Sequence, residues 1–382
     1  MKKVFYLLVF SVSLLLQSCT NLFENQVPTA NKQATPETVN LLLNMKGLTG
    51  TGFMFGHQDA LAYGIGWEAP GGPSDIYLIV NDYPAVFGWD LGHIEHGASH
   101  NLDGVPFASM KQWAKQVHAM GGINTYSWHA DNPLTGSNTW DVSNAEVVKS
   151  VLPFGQKHDK YLKWLDQLAG FFQELKDQHG NPIPVIFRPY HEHTGSWFWW
   201  GQQLCTASQY KELWHMTFHY LTDTKKVNNL LWAYSPSDNF ETIDEFAERY
   251  PGKDYVDIVG FDMYQQPGQL SSEFAARLKN KAELLVQFAT TLNKLPAVTE
   301  LGYEKIPDPV WWTGVVYESL KDLPVSYALF WRNAINRPDH FFAPYPGHIS
   351  QEDFIRFFKL PRSLFLGDIE PKNLYIRHTI IN

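Results

Sequence analysis

The sequence predicts an α/β protein, a single (β/α)8 barrel of the TIM type with its active site at the C-terminal ends of the strands. Eight apolar runs, too short for helices, alternate along the 382 residues with longer segments of helical periodicity. This alternation is typical of parallel βαβ units. Eight units close a barrel, and no Gly-x-Gly-x-x-Gly motif follows the first run, which disfavours an open dinucleotide-binding sheet.

The predicted strands are rich in strand-forming residues and lie at 52–58, 84–90, 121–129, 184–192, 229–236, 256–264, 296–302 and 325–333. Helical periodicity is clearest in two of the intervening segments, 159–178 and 272–292. In the first of them, apolar residues recur on one face at Leu165, Leu168, Phe172 and Leu175. The stretch 341–382 lies outside this count, and we expect it to pack on the barrel.

The N-terminus has the pattern of a targeting segment. Lys2 and Lys3 precede an apolar run, 4–16, that is too short to span a membrane. The following Leu-Gln-Ser-Cys sequence ends at Cys19 and resembles a bacterial lipobox, although an ordinary secretory signal with an incidental cysteine remains the alternative. The predicted organisation is a signal peptide at 1–18, a lipidated Cys19 with a polar tether at 19–37, and the barrel domain at 38–382.

The residues after Cys19 bear on localisation. Only one acid, Glu24, lies within 20–25, whereas some surface-exported lipoproteins carry an acidic cluster there. We therefore expect an exported, membrane-anchored protein that faces the periplasm and contacts the membrane only through Cys19. If Cys19 is lipidated, Cys205 is the only cysteine left and has no partner for an internal disulfide. The sequence also contains no Cys-His spacing typical of a metal site.

Composition excludes some partners. A formal net charge of −9 argues against nucleic acid, which calls for basic patches. The chain contains 14 tryptophans, and aromatic residues make up 15% of it. Many of these rings belong to a core, but an excess of tryptophan also suits contact with carbohydrate.

Groups capable of chemistry recur where the predicted strands end. They are His57-Gln58-Asp59, Trp89-Asp90, Trp128-His129, His191-Glu192, Asp262-Met263-Tyr264, Glu300 and Trp331-Arg332. Parallel strands of a barrel bring all of these ends to one face. Polar residues far apart in the sequence are thus predicted to converge on one mouth.

Two acids at this face suit glycoside hydrolysis, which needs a pair of carboxyls flanking the bond. Glu192 and Glu300 are the predicted pair, and the alternative for each is a buried structural acid with its hydrogen bonds satisfied. Apolar rings such as Trp197 would raise the pKa of Glu192, while Tyr264 and Arg188 would hold Glu300 ionised. The neighbouring His191 is either a site residue or a core histidine with its hydrogen bonds satisfied. In a regular strand its side chain would point away from that of Glu192.

A family resemblance enters at these residues. The stretch 188–201 reads Arg-Pro-Tyr-His-Glu-His-Thr-Gly-Ser-Trp-Phe-Trp-Trp-Gly and resembles the acid/base motif of glycoside hydrolase family 26, the β-mannanases. Further motifs resemble the family's other strand ends, and they lie at 55–58, 127–133, 261–264, 299–302 and 330–333. The resemblance covers roughly the whole chain after the tether.

The resemblance implies roles for individual residues. Glu192 would be the general acid/base and Glu300 the nucleophile of a retaining double displacement. Tyr264 would hydrogen-bond the nucleophile and His191 would help to place it. The sugar subsites would be lined by His129, Trp140, Trp197, Asp262, Trp331 and Arg332. No metal and no cofactor is implied.

The expected substrate is β-1,4-mannan, including glucomannan and galactomannan, or mannooligosaccharides derived from it. The long loops at 60–83 and 91–111 could wall off one end of the cleft and make the enzyme an exo-acting, mannobiose-releasing one. Two alternatives stay open: a non-catalytic glycan-binding lipoprotein, and a relative acting on another β-glycan such as β-1,3-xylan or mixed-linkage glucan. An inverting mechanism is a third, and the oligomeric state is undetermined.

Overall fold

The computed structural model of the protein describes residues 28–68 and 73–377. Eight parallel strands in these residues are hydrogen-bonded into one sheet: β1 (Phe53–Gln58), β2 (Val86–Asp90), β3 (Ile123–Ser127), β4 (Val185–Arg188), β5 (Leu230–Tyr234), β6 (Ile258–Gln265), β7 (Leu295–Tyr303) and β8 (Tyr327–Phe330). Consecutive strands are neighbours, and β1 also pairs with β8, with Met54 opposite Tyr327. The sheet therefore closes into the predicted (β/α)8 barrel.

One helix precedes the first strand and packs on the cluster that fills the barrel interior, and further helices lie between and after the strands. They are α1 (Pro36–Leu48), α2 (Asp75–Val80), α3 (Phe107–Ala119), α4 (Val147–Val151), α5 (His158–Glu174), α6 (Ala207–His219), α7 (Ile243–Ala247), α8 (Ser271–Leu292), α9 (Glu318–Leu320), α10 (Gln351–Phe358) and α11 (Leu366–Ile369). Short 3-10 turns lie at Ile94–His96 and Glu370–Lys372, and π turns at Tyr220–Thr224 and Trp312–Tyr317. The helix predicted at 272–292 is confirmed as α8, and the one predicted at 159–178 is confirmed as α5 except for residues 175–178, because α5 ends at Glu174.

Both faces of the strands are buried, which explains why the strands read as nearly continuous apolar runs. In β1, Phe53 and Phe55 belong to the layer between strands and helices, whereas Met54 belongs to the cluster that fills the barrel interior. This alternation follows from the two-residue period of a strand. The barrel is a packed core, so chemistry is confined to its ends.

The described part of the predicted tether belongs to the folded domain. Thr29, Ala30 and Asn31 are buried, and the backbone N–H of Ala30 donates to Oδ1 of Asp257 at 2.6 Å. Helix α1 begins at Pro36, with the Thr35 side chain as its N-cap. The prediction of a free tether up to residue 37 is thus wrong for residues 29–37, while the predicted signal segment and Cys19 lie outside the described residues.

The C-terminal stretch packs on the barrel as expected, as far as residue 377. A short strand at Ser363–Leu364 pairs in parallel with β1. Further on, the Tyr375 hydroxyl donates to the carbonyl of Gly122 at 2.6 Å. Within residues 28–68 and 73–377, none of the helices combines the length and the apolarity that a bilayer crossing requires.

Candidate active site

The turn after β4 places Glu192 at the barrel mouth. The predicted strand 184–192 is wrong at its end, because β4 stops at Arg188 and Pro189 has no N–H to continue the ladder. Tyr190 and Glu192 both have φ of 53°, a left-handed conformation that is unfavourable for residues other than glycine. The backbone N–H of Glu192 donates to the Ser235 carbonyl at 2.8 Å, which fixes the turn to the end of β5.

Three carboxyls meet across this mouth, where polar residues far apart in the sequence were predicted to converge. One oxygen each of Glu192, Asp262 and Glu300 lies within 4.8 Å of the other two. Asp262 and Glu300 sit opposite each other in the pairing of β6 with β7, so the barrel register sets their separation. Glu192 joins them from the turn after β4.

Arg188 connects two of these acids. Its Nη1 lies 2.6 Å from Oδ2 of Asp262, and its Nη2 forms an ion pair with Oε1 of Glu300. The other oxygen of Glu300 accepts a hydrogen bond from the Tyr264 hydroxyl at 2.5 Å. The expected partners of Glu300 are therefore present, and they hold its carboxylate in one orientation.

Glu192 differs from Glu300 in its surroundings. Burial raises the pKa of Glu192 well above its usual value, and the negative charges of Glu300 and Asp262 raise it further. The Nε1–H of Trp197 donates to Oε2 of Glu192 at 2.7 Å, which lowers this pKa. The expectation that Trp197 would raise the pKa is thus wrong, because its polar edge faces the acid. The net shift of the Glu192 pKa is nevertheless upward, because burial and the two neighbouring acids outweigh this bond.

Asp262 is almost completely buried and its oxygens are occupied. Oδ1 accepts from the Thr299 hydroxyl at 2.6 Å, and Oδ2 contacts Arg188 and the Ser235 hydroxyl. Burial raises the pKa of Asp262 to about 7, against the opposing charge of Arg188. These contacts give Asp262 a clear structural task, which is to anchor the guanidinium that orients Glu300.

Two histidines lie edge to face beside the acids, with ring centroids of His129 and His191 4.6 Å apart. Nδ1 of His129 lies 2.7 Å from Oδ2 of Asp90, at the end of β2. Burial disfavours the charged form of His129, but the Asp90 carboxylate outweighs it and raises the pKa. Burial and the charge of Arg188 lower the pKa of His191 well below its usual value, so this ring is neutral. His191 lies in the turn, not in the regular strand that was predicted.

Aromatic rings surround the same mouth. Trp140 and Trp197 remain 49% and 40% exposed, in contrast with the fully buried Trp199 and Trp200. The ring centroid of Trp331, directly after β8, lies 6.4 Å from that of His129, and Trp140 lies 5.7 Å from the same histidine. Exposed tryptophans beside a pair of acids offer flat faces on which sugar rings can stack.

Arg332 joins the mouth to two long loops. Its Nη2 lies 2.6 Å from Oδ1 of Asp103, and its Nη1 donates to the Tyr63 hydroxyl at 3.2 Å. That hydroxyl donates to Oδ2 of Asp59 at 2.5 Å. Tyr63 and Asp103 were not predicted, because they lie in loops without periodicity, whereas Asp59 lies at a predicted strand end.

Two groups of described residues bring three possible metal ligands together. One is the carboxyl trio with Arg188 already among its partners. The other is Glu95, His96 and Asp131, in the loops after β2 and β3. Glu95 accepts from the Trp128 indole at 3.0 Å and from the Asp131 backbone at 2.8 Å, so hydrogen bonds account for this cluster as a clamp between the loops.

A parallel (β/α)8 barrel with two facing glutamates in unlike environments, set among exposed tryptophans, defines a glycoside hydrolase type of site. Sequence comparison agrees with this class. The profile of glycosyl hydrolase family 26 matches residues 30–320. The chain therefore belongs to glycosyl hydrolase family 26.

Individual relatives point the same way. The chain is 46% identical to a GH26 β-mannanase from Bacteroides ovatus, covering 90% of this chain and 98% of that one, with a TM-score of 0.87. It is 36% identical over 285 residues to a mannan endo-1,4-β-mannosidase from Bifidobacterium adolescentis, which is 73% of this chain and 28% of that protein. A mannan endo-1,4-β-mannosidase from Bacillus subtilis is 37% identical over 57% of this chain and 58% of its own length. The chain thus matches less than two thirds of the length of each of these two proteins.

Proposed function

We propose that this protein is a retaining glycoside hydrolase that cleaves β-1,4-mannosidic linkages in mannan or in mannooligosaccharides. The observation that carries the proposal is the pair Glu192 and Glu300, which come within 4.8 Å of each other through one oxygen each and have different surroundings. Burial and nearby negative charge raise the pKa of Glu192. Glu300 accepts hydrogen bonds from Arg188 and Tyr264.

The proposed reaction has two steps. In the first, a Glu300 oxygen bonds to the anomeric carbon while Glu192 gives its proton to the departing glycosidic oxygen. In the second, Glu192, now ionised, removes a proton from water, and the resulting hydroxyl displaces Glu300 from the sugar. The sugar leaves with its original anomeric configuration, and both carboxyls return to their starting states.

The carboxyl separation supports retention over inversion. Retaining enzymes place their two carboxyls about 5–5.5 Å apart, whereas inverting enzymes need roughly 6.5–9.5 Å to admit a water molecule. One oxygen of Glu192 lies within 4.8 Å of one oxygen of Glu300, which is closer to the retaining spacing than to the inverting one. Glu300 is also already positioned by two donors, which suits a nucleophile.

The contacts of Arg332 bear on the mode of cleavage. Tyr63 from the loop 60–83 and Asp103 from the loop 91–111 both meet this guanidinium, which stands next to Trp331. Such a junction supports a wall at one end of the cleft. We propose exo-action that releases mannobiose. Mannobiose alone from the earliest time points is the expected result, and a ladder of product sizes would reject exo-action.

The test of the activity is a time course with the purified chain on linear mannan, mannooligosaccharides, β-1,3-xylan and mixed-linkage glucan. We expect hydrolysis of the mannans, and a loss of kcat on the order of 10⁴-fold or more in Glu300→Ala. Unchanged hydrolysis in that variant would reject the assignment of the nucleophile. If the wild type binds mannan without hydrolysing it, the protein is a non-catalytic glycan-binding lipoprotein. If it hydrolyses β-1,3-xylan or mixed-linkage glucan in preference to mannan, it is a family member that acts on another β-glycan.

We also propose export as a lipoprotein anchored through Cys19 and facing the periplasm. The lipobox-like sequence and the lack of an acidic cluster after it support this. Labelling with a palmitate analogue should mark the wild type and not Cys19→Ala, and protease treatment of intact cells should leave the protein uncut. Absence of label in the wild type would reject the anchor, and cleavage in intact cells would place the protein on the surface.

A further inference from the structure

The segment that follows β8 reaches back to the nucleophile's hydrogen-bond partner. Phe342, which is 6% exposed, packs edge to face on Tyr264, with ring centroids 5.5 Å apart and an interplanar angle of 74°. We propose that Phe342 is a positioning residue that holds Tyr264 against Glu300. This inference rests on the proposed function, because it assigns a role in orienting the proposed nucleophile.

A glycine in β7 makes room for this contact. In the pairing of β6 with β7, Tyr264 lies opposite Gly302 and Asp262 lies opposite Glu300. A Cβ on Gly302 would lie 2.4 Å from Cδ1 of Phe342 and 2.9 Å from Cε1 of Tyr264. Real Cβ atoms do not approach other atoms so closely, so any larger residue there would displace one of the two rings.

The main chain of Phe342 is fixed independently of its ring. Oδ1 of Asn333 accepts from the backbone N–H groups of Phe342 and Ala343, both at 3.0 Å. Nδ2 of Asn333 donates to the Ala343 carbonyl at 3.0 Å. Asn333 is itself buried and stands two residues beyond Trp331. The end of β8 therefore sets where the Phe342 ring lies.

The packing of Phe342 supports the hydrogen bond from Tyr264 to Glu300. The Tyr264 side chain can rotate about χ1 and χ2. Its ring is only partly buried, and it lies between the cleft and the space over Gly302 that we call the slot. Phe342 fills the slot on the protein side, so the Tyr264 hydroxyl stays 2.5 Å from Oε2 of Glu300. Without that ring Tyr264 can swing away from Glu300, and small misplacements of reacting groups have large effects on rate.

Phe342→Ala and Phe342→Leu test this role, with Phe341→Ala as the matched control. Phe341 has the same 6% exposure, but its ring packs on Tyr345 and His348 instead. We expect Phe342→Ala to lower kcat about 10- to 100-fold, the scale of a hydrogen bond to a charged group, with little change in KM. Phe342→Leu should recover part of the loss, and Phe341→Ala should stay within about 2-fold of wild type while lowering the melting temperature as much as Phe342→Ala does.

Coupling to Tyr264 separates positioning from general damage. In a Tyr264→Phe background, Phe342→Ala should lower the melting temperature as before but should leave kcat unchanged, because the hydroxyl it serves is gone. Additive losses in kcat, or an equal kcat loss in Phe341→Ala, would overturn the inference. If Phe342→Ala fails to fold, Gly302→Ala replaces it and should give the same kcat loss through the displaced ring, whereas wild-type kcat in Gly302→Ala would overturn the inference.

A crystal structure of the Phe342→Ala variant, or of Gly302→Ala in its place, gives a readout that needs no activity. We expect the Tyr264 hydroxyl beyond hydrogen-bond distance from Glu300, and an unmoved hydroxyl would refute the positioning role. Wild-type enzyme that fails to hydrolyse any of the glycans would reject the proposed function alone. Active wild type with an equally active Phe342→Ala would reject this inference alone.

Discussion

Replacing Trp197 by phenylalanine isolates one hydrogen bond to the proposed acid. The indole Nε1–H donates to Oε2 of Glu192 at 2.7 Å, and a phenyl ring keeps a flat apolar face but has no donor. Donation to a carboxylate favours the ionised form and lowers the pKa of Glu192. Glu192 must be protonated to act as the acid, so the enzyme is active below this pKa. The substitution therefore moves the basic limb of the pH profile upwards.

The size of the shift follows from the strength of that bond. A hydrogen bond to a charged group contributes about 1.5–3 kcal/mol when it is well buried. Trp197 is 40% exposed, so water competes for the same carboxyl. The N–H also bonds the protonated form of Glu192, which cancels part of the effect. About 0.7–1.4 kcal/mol of net preference remains, and this corresponds to about half to one pH unit.

The assay is kcat/KM for mannan or mannooligosaccharide between about pH 4 and 10, because this ratio reports ionisations of the free enzyme. Trp140→Phe is the control, since Trp140 is similarly exposed and the structure gives it no hydrogen bond to Glu192. Its basic limb should coincide with that of wild type even if KM rises. A basic limb that stays in place in Trp197→Phe, or that moves to lower pH, would refute the reasoning.

Three further predictions test the acid, the ion pair and the absence of a metal. Glu192→Ala should lower kcat on mannan about 10²–10⁴-fold but much less on aryl glycosides with good leaving groups, and equal losses on both would contradict the acid role. Arg188→Leu leaves Asp262 and Glu300 buried without their counter-charge, so urea unfolding should show a loss of about 3–5 kcal/mol. The control Lys149→Ala breaks the exposed ion pair with Glu146 and should lower the free energy of unfolding by less than about 1 kcal/mol. Similar losses in the two variants would contradict the proposed contribution of Arg188 to stability. Dialysis against EDTA should leave activity unchanged, and a loss that Zn²⁺ or Ca²⁺ restores would reveal a metal requirement.

The fold was accessible from sequence because the barrel strands are buried on both faces and bounded by polar ends. Their positions were predicted to within a few residues. The error at β4 has a definite cause: after Pro189 the chain turns through two left-handed residues, Tyr190 and Glu192, that side-chain pattern alone does not reveal. The N-terminal boundary was misplaced because residues 29–31 make buried contacts, including the bond from Ala30 to Asp257, that polar composition did not suggest.

The positions of Asp262, Tyr264 and Glu300 at the barrel mouth could be predicted because they lie in strands, whereas Tyr63 and Asp103, which lie in loops, were not predicted. Glu300 and Tyr264 were found together because adjacent parallel strands align them. The polar edge of Trp197 was misjudged, since sequence gives the presence of a ring but not which side of it faces Glu192. Phe342, in the segment after β8, contacts Tyr264 of β6. This contact could not be predicted, because that segment has no periodic pattern.

The most direct test of the two-carboxyl account is to trap the covalent intermediate. A 2-deoxy-2-fluoro-mannobiosyl fluoride should inactivate the enzyme, because the fluorine slows hydrolysis of the glycosyl-enzyme more than its formation. Mass spectrometry of a peptic digest should then find the sugar on the peptide that contains Glu300. An adduct on any other residue, or an inverted anomer as the first product by NMR, would contradict the account.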